Sequence, residues 1–120
     1  MVDGKPLASA DSDHAIVAMP AEIDINNSAQ VGEKLNLAFV RGAATVIADF
    51  TPTSFCDSSG LRELALAHKS AVNLKVELRA VVTSAPVLRA FEVLGLDQLL
   101  SVYSSLEAAL GTGPASGGAA

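Results

Sequence analysis

A single cysteine, Cys56, among 120 residues leaves no internal disulfide framework to hold this chain together. Tryptophan is absent and aromatics make up only 4%. Any core must therefore be aliphatic, built from Val, Leu, Ile and Ala. Half of the residues are hydrophobic, enough to fill one compact core. Mean hydropathy is +0.40, yet no apolar run reaches the roughly 18 residues that a membrane span needs. The opening stretch "MVDGKPLASADSD" has no basic segment followed by an apolar one, so it does not read as a secretory signal. Basic residues are also scarce. Eight Lys and Arg stand against 13 Asp and Glu, for a net charge of −5. Without a basic patch, nucleic acid is not an expected partner; positive groups on another protein are. These absences point to one cytoplasmic domain with no membrane contact.

Several catalytic signatures are missing as well. The chain has no G-x-G-x-x-G, no P-loop, no metal-spaced His/Cys cluster and no G-x-S-x-G elbow. No metal, cofactor or catalytic residue is assigned, and the chain is not read as an enzyme.

What is present is an alternation of short apolar runs and amphipathic patterns. Residues 1–13 read as an edge strand or an ill-defined N-terminal segment. "AIVAM" (15–19) reads as a strand ended by Pro20, and "AEIDINN" as a loop. Asn27 followed by Gln30 suggests a capping box. Val31, Leu35, Ala38 and Phe39 follow at helical spacing, and Gly42 stops that helix. "ATVIADF" (44–50) is almost continuously apolar, as a strand covered on both faces would be. A helix carrying Leu61, Leu64, Ala65 and His68 on one face comes next. In "VELRAVV", Val76, Leu78, Ala80 and Val82 alternate with Glu77, Arg79 and Val81, a strand pattern. Ser84 opens a helix that tolerates Pro86 in its first turn, with Val87, Phe91 and Leu94 on its face and Gly95 as its stop. "LLSVY" reads as a last strand. Ser104 with Glu107 reads as a capping box before "LEAAL", and Gly111 ends that helix. The tail 111–120 is Gly, Ala, Ser, Thr and Pro and is expected to be disordered. Such alternation predicts an α/β domain with a partly parallel sheet.

One stretch stands apart: "SFCDSSGLREL". It joins a strand to a helix, and open α/β sheets place ligand and partner chemistry at such junctions. Asp57, Ser58 and Ser59 are all cap-type residues, and one of them is expected to accept bonds from the first turn. One cap does not need three. A nucleophilic serine needs a base, but His14 opens a strand and His68 lies on an apolar helix face. Phosphorylation is the third reading, since helix N-termini favour anions. Cys56 reads as a small buried hydrophobe. Glu22 and Asp24 read as solvated loop carboxylates.

"TVIADFTPTSFCDSSGLREL" resembles the STAS family, and in particular its small standalone bacterial members that carry Asp-Ser-Ser-Gly-Leu after an apolar strand. "AEIDINNSAQVGEKL" is similar to the family's Gly-Glu-Leu-Asp loop and first helix, and "VELRAVVTSAPVLRAFEVLGLDQLLSVYSSLEAAL" to its C-terminal half. The resemblance spans about residues 14–110. It implies a single STAS domain over 1–110, with a four- or five-stranded mixed sheet and about four helices mostly on one face. It further implies an anti-sigma factor antagonist. The unphosphorylated form binds an ATP-binding anti-sigma factor serine kinase and releases a sigma factor. Phosphorylation at Ser58, with Ser59 as the alternative, switches binding off, and a metal-dependent serine phosphatase resets it. Asp24, Asp57, Ser59, Gly60 and Arg62 are implied to form the partner surface, with Ser59 as the helix cap. A STAS domain can also serve as a non-switching adaptor subunit in a lipid-transport or other multiprotein complex. The chain departs from the family pattern at Ala21, where glycine is usual, and at Arg62 and Glu63, where small or apolar residues are usual.

Overall fold

The computed structural model describes residues 13–111. The expected N-terminal edge strand and the tail beyond Gly111 lie outside the described residues. Four strands form the main sheet: β1 (His14–Ala18), β3 (Thr45–Asp49), β5 (Glu77–Val81) and β6 (Ser101–Tyr103). They lie in the order β1-β3-β5-β6, and every described pair is parallel. Two two-residue strands, β2 (Glu22–Ile23) and β4 (Phe55–Cys56), pair separately and also in parallel. The helices are α1 (Ser28–Val40), α2 (Ser58–Leu74), α3 (Ala85–Val93), α4 (Leu96–Leu99) and α5 (Leu106–Gly111).

The β-branched run at β3 takes the middle of the sheet because both of its faces can be buried. Val46, Ile47 and Ala48 have no exposed surface. Val46 and Ala48, with Leu78 and Ala80 of β5, belong to the larger core, which contains Val31, Leu35 and Phe39 of α1 and Leu61, Leu64 and Ala67 of α2. Two of its phenylalanines, Phe50 and Phe91, meet edge to face at 5.4 Å. Ile47, Val81 and Tyr103 point to the opposite face, where Ala109 of α5 completes a smaller core. The alternation in "VELRAVV" is therefore real, but the face carrying Arg79 is buried as well.

Arg79 is only 1% exposed. A buried cation is tolerable only when its donors are paired. Its Nε donates to Glu77 Oε2 at 3.0 Å and Nη2 to Glu77 Oε1 at 3.3 Å. Nη1 donates to the Ala109 carbonyl in the last turn of α5, where a cation also complements the helix dipole. The guanidinium lies 5.9 Å from the Tyr103 ring centroid. One residue thus ties β5, β6 and α5 together.

Several local expectations change. "AEIDINN" is not wholly loop, since Glu22 and Ile23 form β2. Asn27 does precede α1, but its side chain does not cap it. Its Oδ1 instead accepts from the Asp24 N–H at 2.9 Å, and its Nδ2 donates to the Glu22 carbonyl at 2.8 Å. The amide is spent on fixing the turn behind it. The cap of α5 is Ser105 rather than Ser104: its Oγ accepts from Ala108 N–H at 3.0 Å. Leu94 is the C-cap of α3 and is exposed, while Val87 and Phe91 are buried as expected. Ser84 caps that helix through Val87 N–H at 3.4 Å. Gly42 and Gly95 both take positive φ where α1 and α3 stop, which glycine does without a Cβ penalty.

Candidate functional site

The short β2–β4 ladder sets the geometry of the Asp-Ser-Ser-Gly segment. Ile23 pairs with Cys56, and the Asp57 N–H donates to the Ile23 carbonyl at 3.0 Å. The chain then turns into α2. Asp57 is the N-cap, with extended backbone. Its Oδ1 accepts from Ser59 N–H at 2.9 Å, from Gly60 N–H at 3.3 Å and from the Ser59 hydroxyl at 2.6 Å. The cap is therefore Asp57, not Ser59 as expected. A carboxylate wins because it accepts three donors at once, where a hydroxyl would accept fewer.

These bonds, the Ser59 hydroxyl's foremost, hold the Asp57 carboxyl below its ordinary value of 3.8. A depressed folded-state value means the carboxylate stabilises the fold above 3.8 and stops doing so as pH falls through that lower value. Asp57→Ala is therefore expected to melt at a lower temperature than the parent at neutral pH. The gap should close in acid, and thermal melts across the pH range check both halves of this expectation.

With the cap supplied by Asp57 and the Ser59 hydroxyl donated to it, Ser58 is left over. It is the first residue of α2 and is exposed, and its hydroxyl has no hydrogen-bond partner among the described residues. It opens onto a shallow depression that Ser59, Arg62 and Glu63 also line. Ile25, Ser28 and Leu66 complete the lining. Of the residues expected at the partner surface, Ser59 and Arg62 line this depression together with Ser58, the expected phosphorylation site.

Gly60 sits beneath rather than within this surface, and it is buried. A Cβ added there would lie 2.5 Å from Ile23 Cγ2 and 2.7 Å from Cys56 Sγ. Both neighbours belong to the ladder, so neither can swing aside. Gly60 is what lets α2 start hard against β2 and β4. Ala improves helix propensity by at most about 1 kcal/mol, while overpacking costs about 1–3 kcal/mol. Gly60→Ala should lower the melting temperature by roughly 4–8 °C. A variant that melts at or above the parent temperature would refute the close-approach role.

Asp24 reaches the same end of the molecule, one residue beyond the Ile23–Cys56 pair, but does not line the depression. Its Oδ1 accepts from Asn26 N–H at 2.9 Å, so it shapes the turn leading to α1. Glu22 is exposed, as read from the sequence. Cys56 is buried beside Gly60. Burial, with the Asp57 charge as a second cause, pushes its thiol up to about 11, so it is a neutral thiol at pH 7. The thiol donates to the Asp57 carbonyl oxygen at 3.7 Å. Among the described residues no group of three or more His, Cys, Asp or Glu is arranged to hold a metal ion. No described helix is long and apolar enough to cross a membrane.

Sequence reasoning missed Ile25, Ser28 and Leu66. Ile25 is 74% exposed and Leu66 is 47% exposed. The available signal was an isoleucine between Asp24 and Asn26 in a polar turn, and a leucine off the buried stripe of α2. Exposure alone sets neither apart, since Val40, Val72 and Val93 are also well exposed; what distinguishes Ile25 and Leu66 is that both line the depression beside Ser58.

Known proteins resemble this chain over most of its length. The anti-sigma-B factor antagonist of Listeria monocytogenes is 30% identical over 92 residues, covering 77% of this chain and 81% of that protein. The solved structure of the anti-sigma factor antagonist SpoIIAA in its unphosphorylated form superposes with a TM-score of 0.70 at 23% identity, over 88% of this chain and 91% of that one. The phosphorylated form of SpoIIAA, a Bacillus cell fate determinant, superposes with a TM-score of 0.65 at 22% identity, over 88% and 95%. At these identities the two structures establish a shared fold. The STAS domain model matches residues 5–109, and the chain belongs to the STAS domain family.

Proposed function

We propose that this protein is an anti-sigma factor antagonist controlled by phosphorylation at Ser58. Unphosphorylated, it docks on an anti-sigma factor that is itself an ATP-dependent serine kinase, and a sigma factor is released. The kinase then transfers the γ-phosphoryl group of ATP to Ser58 Oγ. The hydroxyl proton departs to the kinase, ADP leaves, and docking ends. A serine phosphatase restores the starting state. The protein contributes no catalysis of its own; it is ligand and substrate of its partner.

One observation carries this reading. Of the three cap-type residues, Ser58 alone is both exposed and unengaged among the described residues, and it opens the helix at the edge of a depression flanked by Ile25 and Leu66. Asp57 and Ser59 occupy one another and leave Ser58 available to a kinase. The relatedness to the Listeria anti-sigma-B factor antagonist supports the antagonist reading. The test is incubation with ATP and candidate anti-sigma kinases, followed by mass spectrometry of the peptide holding residues 54–64. Phosphate on Ser58 is the expected result. A failure of every kinase that binds the chain to modify Ser58 would count against it.

A further inference from the structure

The cation one helical turn from the acceptor serine has no partner among the described residues. Arg62 is exposed on α2 and makes neither an ion pair nor a hydrogen bond among the described residues. Ser58 and Arg62 stand four residues apart on one helix, and both line the depression. Such residues are surface neighbours, with Cβ atoms about 5–6 Å apart. Every helical Cα–Cβ bond tilts toward the N-terminus, so a long side chain at position 62 covers the turn that Ser58 begins. The other charged residue of the depression, Glu63, does not compete for Arg62. Its carboxylate lies against Gly32 of α1, where a Cβ would collide with Oε1. The Asp57 carboxylate is oriented by three cap donors on its Oδ1 and makes no bond to Arg62 among the described residues.

Building on the reading of Ser58 as the phosphate acceptor, we propose that Arg62 is the clamp that holds the phosphate. Its guanidinium pairs with the phosphoryl oxygens across one turn of α2. A planar fork of N–H donors suits a phosphate, and charge-assisted bonds of this kind are the strong ones. The clamp fixes the phosphate over the depression, between Ile25 and Leu66, where a partner must dock, instead of leaving it free to swing into solvent.

The test uses the full chain with phosphoserine encoded genetically at position 58, so that it does not depend on any kinase. Four proteins are compared by ³¹P NMR titration: the parent, Arg62→Gln, Arg62→Lys, and Arg89→Gln as a remote charge control on exposed α3 surface. Asp24, Asp57, Glu63 and the first N–H groups of α2 are common to all four, so their effects cancel. The second phosphate pKa, ordinarily about 6, should be lower in the parent than in Arg62→Gln by roughly 0.15–0.4 of a pH unit. Arg62→Lys should recover part of that shift, and Arg89→Gln should match the parent. Equal values for the parent and Arg62→Gln, or an equal shift from Arg89→Gln, overturn the clamp. A kinase experiment that finds Ser58 unmodified overturns the acceptor assignment alone, and the NMR comparison still decides whether Arg62 holds a phosphate at that position.

Discussion

Ser58→Ala is expected to abolish phosphate incorporation by an anti-sigma kinase, and Ser59→Ala only to weaken it. The two serines are adjacent but not equivalent. The Ser59 hydroxyl donates to Asp57 Oδ1 at 2.6 Å, so attack through its oxygen would first require that bond to break. The Ser58 hydroxyl has no such bond to lose. Ser59→Ala still removes one of the three donors that orient the Asp57 cap, and a looser cap presents Ser58 less well. A moderate loss is therefore expected for Ser59→Ala and a complete one for Ser58→Ala. Quantitative phosphopeptide mass spectrometry on both variants separates them. The reverse pattern would move the acceptor to Ser59.

Phosphorylation at Ser58 is expected to cost at least a hundredfold in affinity for the partner while leaving the fold intact. A phosphate adds about −1.5 to −2 charges at pH 7, on a chain already at −5. The position offsets that burden. Ser58 opens α2, and an anion near a helix N-terminus is typically worth about 0.3–1 kcal/mol in the helix's favour. Folded stability should thus hold or rise slightly. The effect then falls on the interface. Ile25 and Leu66 are exposed and line the depression, so a partner docking there would have to shed water from them. A hydrated dianion between them takes space and must be desolvated. A penalty of about 3 kcal/mol suffices for the hundredfold loss.

The strands of the main sheet were legible because their residues are apolar in runs or in alternation. β3 announces burial on both faces, and the motif after it announces a helix start. The β2–β4 ladder was not legible. Each strand has two residues, and only Ile23 and Cys56 are buried, which is too little to show a period. The cap residue was misread because Asp57, Ser58 and Ser59 all have cap chemistry. What separates them is backbone direction at the turn, and that is set by the ladder. The covering of the second sheet face by α5 was also hidden. Arg79 marks that face as polar in the sequence, yet it is buried by pairing with Glu77 and the Ala109 carbonyl, partners 2 and 30 residues away. That Asp57 to Gly60 stand at the start of a helix was legible from the strand-to-helix junction. The depression was not, because its lining comes from the turn before α1, the first residue of α1 and the first turns of α2, which are brought together only by packing.

The most direct measurement is calorimetric titration of the anti-sigma factor with two forms of the chain, unmodified and carrying phosphate on Ser58, alongside a thermal melt of each. Tight binding by the unmodified form, a loss of about a hundredfold or more in the phosphorylated form and matching melting temperatures are the expected outcome. Equal affinities, or a phosphorylated form that loses binding only because it melts several degrees lower, would contradict a switch that acts at the Ser58 surface.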